Sequence, residues 1–272
     1  MKTRTVTGGG GVKLHVHDAG NPNGKAILFV HGFSQCGLVW SKQLRSDLAD
    51  TFRLVAMDLR GHGLSEKPRD AYGDSQLWAD DVHSVIEELQ LDAPVVAGWS
   101  YGGAILSDYI GAYGEDEISA THWIGAVCRL GEPLVAPGFL GEEFIAAVPG
   151  LFSENVTESV TALQRLLELC IPSLSAEDRY LLLGCGMVVP PYVRKKLLSR
   201  NLDNDAVIER LEKPMLISWG ERDTIVSPRM GDHIAQLAKA STLSFYPGGG
   251  HAPFWEAPDR FNRELREFRE SV

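Results

Sequence analysis

The stretch Val95-Val96-Ala97-Gly98-Trp99-Ser100-Tyr101-Gly102-Gly103 decides the fold of this chain. A short apolar run ends at a serine with glycines two residues away on either side, and a helical run follows over residues 104–113. This is the G-x-S-x-G pattern of a sharp strand-to-helix turn that exposes the serine hydroxyl. Such a turn imposes strained backbone angles on Ser100 and leaves no room for side chains at the flanking glycines. An ordinary glycine-rich turn has the same pattern, so this interpretation depends on partners elsewhere in the chain.

The composition is that of one globular domain, or of a domain with a large insertion. The 272 residues are 44% hydrophobic and 23% charged, and the formal net charge is −10. Lys and Arg form no cluster, so nucleic acid and anionic membrane surfaces are not expected partners. No apolar run approaches the roughly 18 residues of a membrane span. The N-terminal residues lack the apolar core of a signal peptide, so we expect a cytoplasmic protein; the oligomeric state stays open.

Four cysteines, Cys36, Cys128, Cys170 and Cys185, are scattered without C-x-x-C spacing. We interpret them as reduced thiols and not as a disulfide framework or a zinc site. Cys36 follows His31-Gly32 closely, and two roles are open for it: a reactive thiol and a buried, inert one.

Strand and helix patterns alternate along most of the chain. Residues 3–7 and 12–18 predict a hairpin, and residues 75–89 and 258–270 predict helices, the first capped by Asp74 or Ser75. Continuous apolar runs predict buried strands at residues 26–30, 54–57, 95–99, 121–127, 215–219 and 243–246. The alternation predicts an α/β fold with a doubly wound, mostly parallel sheet that binds ligands at the carboxyl ends of its strands.

Residues 129–204 break this alternation. They contain helical patterns and no convincing strand. We therefore expect a helical cap over the active site, inserted into a core made of residues 1–128 and 205–272.

A nucleophilic serine needs two N–H donors for the developing oxyanion. The stretch His31-Gly32-Phe33 follows the predicted strand 26–30. There the backbone N–H of Phe33 can pair with that of Tyr101 as an oxyanion hole. His31 itself is interpreted as a histidine that fixes the loop through hydrogen bonds.

The serine also needs a base and an acid that orients the base. Trp219-Gly220-Glu221-Arg222-Asp223 follows one strand and offers two acids, of which we favour Asp223 over Glu221. Gly248-Gly249-Gly250-His251 follows the last strand and offers His251 as the base. A second acid and imidazole, Asp58 and His62, occur in the stretch 58–65, which we interpret as a structural turn.

These stretches, in this order, resemble the α/β-hydrolase superfamily. The motifs that carry the resemblance are His31-Gly32-Phe33, Asp58-Leu59-Arg60-Gly61-His62-Gly63-Leu64-Ser65, Gly98-Trp99-Ser100-Tyr101-Gly102-Gly103, Gly220-Glu221-Arg222-Asp223 and Gly250-His251. The superfamily order of nucleophile, acid and histidine implies the triad Ser100, Asp223 and His251. A serine at the turn is similar to the esterases, lactonases and cofactor-free haloperoxidases (perhydrolases). Dehalogenases and epoxide hydrolases carry an aspartate there.

The stretch around His251, up to Pro258, is also similar to that of α/β-type N-acyl-homoserine lactone lactonases. Some of those enzymes use a glutamate as the acid, which would give more weight to Glu221. We expect a serine hydrolase of carboxylic esters or lactones that acts through an acyl-enzyme intermediate, on a small-molecule substrate, with no metal or organic cofactor. The alternatives are a perhydrolase or haloperoxidase, an N-acyl-homoserine lactone lactonase and, with less support, a ligand receptor on the same fold.

The substrate pocket is expected to be mainly apolar. Its candidate residues are His31, Trp99, Phe139, Phe144, Phe254 and Trp255, with Leu130 and Phe152 as further contributions from the cap.

Overall fold

A computed structural model describes residues 1–131 and 138–272. Eight strands form one sheet in the order β1-β2-β4-β3-β5-β6-β9-β10. β2 pairs antiparallel with β1 and β4, and all other neighbours are parallel. The strands are β1 Lys2–Thr7, β2 Lys13–Gly20, β3 Ala26–Val30, β4 Arg53–Met57, β5 Val95–Trp99, β6 Ala120–Ile124, β7 Arg129–Leu130, β8 Leu202–Asp203, β9 Met215–Gly220 and β10 Ser241–Tyr246.

The central strands are buried on both faces. Every residue of β3, β5, β6 and β9 is buried, as expected for parallel strands covered by helices on both sides. The predicted α/β class and the mostly parallel sheet are therefore confirmed. The predicted hairpin is β1 and β2, joined by a short turn at Gly9–Gly11 in which Gly10 takes a positive φ of 66°.

Twelve α-helices are found among the described residues. They are α1 Ser41–Leu44, α2 Leu48–Thr51, α3 Ser75–Glu88, α4 Tyr101–Tyr113, α5 Glu142–Leu151, α6 Val156–Cys170, α7 Ala176–Met187, α8 Pro191–Leu198, α9 Asp205–Arg210, α10 Pro228–Leu237, α11 Pro253–Glu256 and α12 Pro258–Ser271. α3 begins where its cap predicts, because the Asp74 side chain accepts a hydrogen bond from the N–H of Gln76. Trp78, Val82 and Val85 are on the buried face of this helix. None of these helices combines the length and apolar character needed to cross a bilayer.

Helices α5 to α8 fill most of the predicted insertion, within residues 129–204. The expectation that this segment holds no strand was wrong, since β7 and β8 pair antiparallel at its two ends, Arg129 with Asp203 and Leu130 with Leu202. Each strand has only two residues, which is too short to produce an alternating sequence pattern. Residues 132–137 of the insertion lie outside the described residues.

The loops with the candidate catalytic residues follow the carboxyl ends of four parallel strands, two on each side of β6. β3 leads to Phe33, β5 to Ser100, β9 to Asp223 and β10 to His251. Because these strands run in the same direction, their loops meet at one edge of the sheet.

Candidate active site

Ser100 stands in a strained turn between β5 and α4. Its backbone angles are φ 54° and ψ −119°, a conformation that costs a non-glycine residue free energy. The turn is held by backbone hydrogen bonds: the N–H of Ser100 donates to Ile124 at 2.9 Å, and its carbonyl accepts from Gly103 and Val127 at the same distance.

The glycines around Ser100 are required by close backbone approach. A Cβ atom on Gly98 would lie 2.7 Å from the carbonyl oxygen of Gly102, and one on Gly102 would lie 2.4 Å from that of Val30. A Cβ on Gly103 would lie 2.5 Å from the Cβ of Ala126. These contacts are shorter than carbon and oxygen atoms tolerate, so only glycine fits the crossing of β5, α4 and β3.

Asp223 and His251 are joined by a buried hydrogen bond. Oδ2 of Asp223 lies 2.6 Å from Nδ1 of His251, and both side chains are almost fully buried. Oδ1 of Asp223 accepts hydrogen bonds from the backbone N–H groups of Ile225 at 2.8 Å and Val226 at 3.0 Å. The carboxylate is thus satisfied on both oxygens, and it fixes the imidazole with Nδ1 as the donor and Nε2 free to accept a proton.

The backbone of His251 is also held on both sides. Its N–H donates to the carbonyl of Cys170 at 3.1 Å, and its carbonyl accepts from the indole Nε1 of Trp99 at 2.9 Å. Cys170 ends α6, so the segment between β6 and β9 contributes directly to the placement of the imidazole. Trp99, the residue before Ser100, connects the histidine loop to the serine turn.

Glu221 lies apart from the imidazole. Its side chain is exposed and accepts a 3.3 Å hydrogen bond from the N–H of Gly248. The carboxylate in contact with His251 is that of Asp223.

The loop after β3 runs against the serine. A Cβ atom on Gly32 would lie 2.8 Å from the Cβ of Ser100, so the backbone that leads into Phe33 passes directly beside it. Tyr101 is the first residue of α4, and its N–H therefore has no acceptor within the helix. Of the two residues predicted as oxyanion donors, Tyr101 directly follows Ser100, and Phe33 directly follows the glycine that lies beside it.

A cavity opens at Ser100 and His251. The sheet loops contribute to its wall, and so do α5, α6, α7 and α8. The lining residues are Phe33, Gln35, Trp99, Ser100, Tyr101, Val127, Leu130, Leu140, Phe144, Leu166, Leu167, Cys170, Ile171, Leu182, Leu198, Ile225, Val226 and His251. Most of these side chains are aliphatic or aromatic, which makes the cavity a site for an apolar ligand.

Of the residues predicted to line the pocket, Trp99, Phe144 and Leu130 lie on this wall. His31 does not, because both of its ring nitrogens are used elsewhere. Nε2 accepts the N–H of Leu59 at 3.0 Å, and Nδ1 lies 2.8 Å from the carbonyl oxygen of Gly32. Burial and the neighbouring His62 hold its pKa well below the usual value, so it stays neutral and fixes the loop.

Four other predicted pocket residues also lie away from the cavity. Phe254 packs between Trp40 and Trp99 with ring centroids 4.2 and 5.1 Å away. Trp255 lies under the ammonium group of Lys42, and Phe139 packs against His233. Phe152, at the end of α5, is only partly buried and is not part of the wall. Position next to a motif in the sequence did not reveal the direction in which each side chain points.

Asp58 and His62 form the structural turn that was expected. Oδ1 of Asp58 accepts from Gly37 at 2.6 Å and Oδ2 from Leu64 at 2.8 Å, while Nδ1 of His62 lies 2.9 Å from the carbonyl of Arg60. Burial lowers the pKa of His62 to about 4.

The sequence interpretation missed the polar side chain of Gln35 and the aliphatic wall from α6. The helical spacing of Leu163, Leu166 and Leu167 in the sequence is the signal that marks this apolar face of α6. Three places in the described chain gather three side chains able to bind a metal ion, and none of those residues lines the cavity.

Comparison with known proteins agrees with this geometry. The model of the alpha/beta hydrolase family matches residues 27–264. The esterase RhEst1 from Rhodococcus sp. ECU1013 superimposes with a TM-score of 0.95 at 32% identity, over 100% of both chains. The bifunctional esterase/perhydrolase DCH of Acinetobacter calcoaceticus is 27% identical over 97% of this chain and 98% of its own. A pimeloyl-[acyl-carrier protein] methyl ester esterase of Neisseria meningitidis is 26% identical over 91% of this chain and 78% of its own.

The family model matches most of the sequence, and the strained serine turn and the buried acid–imidazole pair agree with it. The chain therefore belongs to the alpha/beta hydrolase family.

Proposed function

We propose that this protein is a serine hydrolase of carboxylic esters, with Ser100 as nucleophile, His251 as base and Asp223 as the acid that orients the base. The observation that carries the proposal is the 2.6 Å contact between Asp223 and His251 at the wall of the cavity that also contains Ser100. The similarity to several esterases supports the reaction class.

The proposed reaction has two halves. His251 takes the hydroxyl proton of Ser100 as the oxygen attacks the acyl carbon, and Asp223 stabilises the imidazolium that forms. The N–H groups of Phe33 and Tyr101 bind the oxyanion, at a free-energy gain of about 3 kcal/mol per donor. The alcohol leaves with the proton from His251, and a water molecule activated by the same imidazole then releases the acid from Ser100.

We propose that residues 129–204 act as the cap over this site. The support is the contribution of α5, α6, α7 and α8 to the cavity wall, which separates the reacting groups from bulk water. An apolar wall of this kind is compatible with a medium-length acyl chain or an aromatic group. Lactones have the same reacting carbonyl and belong to the same substrate class.

The four cysteines, all free thiols, fit a cytoplasmic location.

The test is hydrolysis of a series of p-nitrophenyl esters of increasing acyl length, with lactones of matching size beside them. Ser100→Ala should abolish hydrolysis while the circular dichroism spectrum and melting temperature stay those of the wild type. Turnover retained by a folded Ser100→Ala protein would refute the assignment.

A second candidate activity is perhydrolysis, in which hydrogen peroxide replaces water and a peracid is formed at the same serine. The similarity to the bifunctional esterase/perhydrolase supports this activity as the second candidate. Bromination of monochlorodimedone in the presence of acetate and peroxide measures this activity. A rate far above that of ester hydrolysis would make perhydrolysis the main reaction.

A further inference from the structure

Gln35 is the one polar side chain of the cavity wall whose role the proposed reaction leaves open. It is 4% exposed and lines the same cavity as Ser100 and His251. Several buried polar side-chain atoms of the described chain lack a hydrogen-bond partner, and Oε1 of Gln35 is the one that belongs to a residue lining this cavity. Two other polar side chains there have partners: Trp99 donates to the carbonyl of His251, and the Tyr101 hydroxyl donates to the carbonyl of Leu197.

The orientation of the Gln35 amide follows from its neighbour. Its nitrogen Nε2 lies 3.4 Å from the carbonyl oxygen of Leu182 on α7. A carbonyl oxygen can only accept a hydrogen bond, so the NH₂ group must face it and the amide oxygen must face away. The unsatisfied atom is therefore an acceptor, and its complement is a hydrogen-bond donor on a ligand.

The loop that carries Gln35 is fixed in place. Ser34 has a positive φ of 56°, and its hydroxyl lies 3.5 Å from the carbonyl of Gly186. The next two residues contact the same helix: Gln35 reaches Leu182, and Sγ of Cys36 lies 2.9 Å from Sγ of Cys185. Three consecutive loop residues thus rest on α7, which holds the amide at a defined position.

Gln35 lines the same cavity as Phe33 and Ser100. Phe33, whose N–H is the proposed oxyanion donor, lies only two residues before Gln35, and two residues of chain span at most about 7 Å. An ester bound at Ser100 would therefore bring the first carbons of its acyl chain near the Gln35 side chain. An unsubstituted acyl chain leaves the buried oxygen without a partner, and a site that provides a hydrogen bond discriminates strongly against ligands that cannot complete it.

We propose that Gln35 is a specificity-determining residue for esters whose acyl chain is apolar and carries a hydroxyl or amide N–H on one of the first carbons after the reacting carbonyl. This inference rests on the proposed function and names its substrate class. The rest of the chain contacts the aliphatic wall formed by residues such as Phe144 and Leu166.

The probes are methyl octanoate, methyl 2-hydroxyoctanoate and methyl 3-hydroxyoctanoate, with hydrolysis followed by proton release. The measured quantity is kcat/KM of each hydroxy ester divided by kcat/KM of methyl octanoate. For the wild type we expect a ratio of about 10 or more for at least one hydroxy ester. Gln35→Met, which keeps the volume and removes the acceptor, should bring that ratio below one, because the hydroxyl then enters an apolar cavity unpaired.

A matched control is Leu166→Met, which reshapes the same wall without touching the amide. It should change the rates of the three esters together and leave their ratio at the wild-type value. Melting temperatures of both variants establish that they are folded.

Binding gives a readout that does not depend on turnover. In Ser100→Ala and in Ser100→Ala/Gln35→Met, quenching of tryptophan fluorescence measures the Kd of each ester. The hydroxy ester should bind more tightly than methyl octanoate only when Gln35 is present. Equal ratios with and without Gln35, or a wild-type preference for methyl octanoate over both hydroxy esters, would overturn the inference. Failure of the proposed function has a different signature: the wild type hydrolyses none of the three esters, and the binding comparison alone then decides the role of Gln35.

Discussion

Arg200 donates two hydrogen bonds from Nη2 to the carboxylate of Asp108, at 2.7 and 2.9 Å, and both side chains are 3% exposed. Nη1 of the same guanidinium lies 3.3 Å from the hydroxyl of Tyr101. Arg200 follows α8, while Asp108 and Tyr101 lie on α4. This ion pair therefore ties the end of the inserted helices to the helix that begins at the serine.

Removing one partner of this pair should be costly. Asp108→Asn leaves the guanidinium buried and uncompensated, so we expect the free energy of unfolding to fall by about 3–5 kcal/mol. Urea denaturation measures the change. The control is Glu212→Gln, which breaks the exposed ion pair with Lys239 and should leave the denaturation midpoint unchanged. An equally small effect at Asp108 would show that the buried pair does not hold these segments together.

Asp223→Asn separates the two acids considered for the triad. The amide can no longer stabilise the imidazolium of His251, so kcat for a p-nitrophenyl ester should fall by about 10⁴-fold. Glu221→Gln, two residues away at an exposed position, should keep kcat near the wild-type value. The reverse outcome would move the role of the acid to Glu221.

Gly102→Ala tests the crossing of α4 and β3. The new Cβ would lie 2.4 Å from the carbonyl oxygen of Val30, which is backbone and cannot rotate away. We expect a loss of about 3 kcal/mol or more in the free energy of unfolding, or no soluble protein. Gly184→Ala is the counterpart: this glycine lies exposed within α7 with no atom near its Cβ position. That substitution should stabilise the protein by about 0.5–1 kcal/mol, because alanine favours a helix over glycine.

Acid should destabilise the protein through His122. Burial lowers the pKa of this imidazole to about 3, while in the unfolded chain it is near 6.5. Between these values the unfolded state binds a proton that the folded state does not, so stability falls as the pH falls, by up to about 1.4 kcal/mol per pH unit. The free energy of unfolding of His122→Gln, measured at pH 7.5, 6 and 5, should have a shallower slope than that of the wild type. Identical slopes would mean that His122 is protonated in the folded state.

Cys36 and Cys185 form a pair that a mild oxidant should join. Both are buried, yet both border a surface groove that a small reagent can enter. Cys36 donates to the sulfur of Cys185, which lowers the pKa of Cys185 and raises that of Cys36. Diamide should take two electrons and two protons from the thiols and be reduced to the hydrazine, so that the protein mass falls by about 2 Da until dithiothreitol restores it. Cys185→Ser should prevent this loss and Cys128→Ser should not.

The sequence contained the main parts of the site because the backbone creates them. Some glycines are required because a helix crosses two strands closely, and their spacing is visible in the sequence. The loops at the carboxyl ends of parallel strands are also visible there, because each follows an apolar run. The fold class, the helix cap at Asp74 and the approach of Asp223 to His251 follow from such local rules.

The parts that the sequence did not reveal depend on side-chain direction and on contacts between distant segments. Phe254 and Trp255 follow His251 directly, yet both point into the core, because the short helix α11 turns them away from the cavity. The ribbon of β7 and β8 joins residues more than 70 positions apart, and two-residue strands carry no pattern. The sequence around Gln35 does not show that its side chain lies among the aliphatic residues of the cavity wall.

Residues 34–36 contact α7, and this contact divides the cavity wall into two parts. Substitutions on the α7 side should reduce activity more than substitutions on the side formed by α5 and α6. A substitution that displaces α7 should also displace the loop that carries the N–H of Phe33. Widening the cavity from that side should therefore lower kcat. Phe144 and Leu166 line the cavity from α5 and α6, and the hydrogen bonds of residues 34–36 to the cap go to α7. Laboratory evolution toward bulkier acids should therefore accumulate its changes on these two helices and conserve α7.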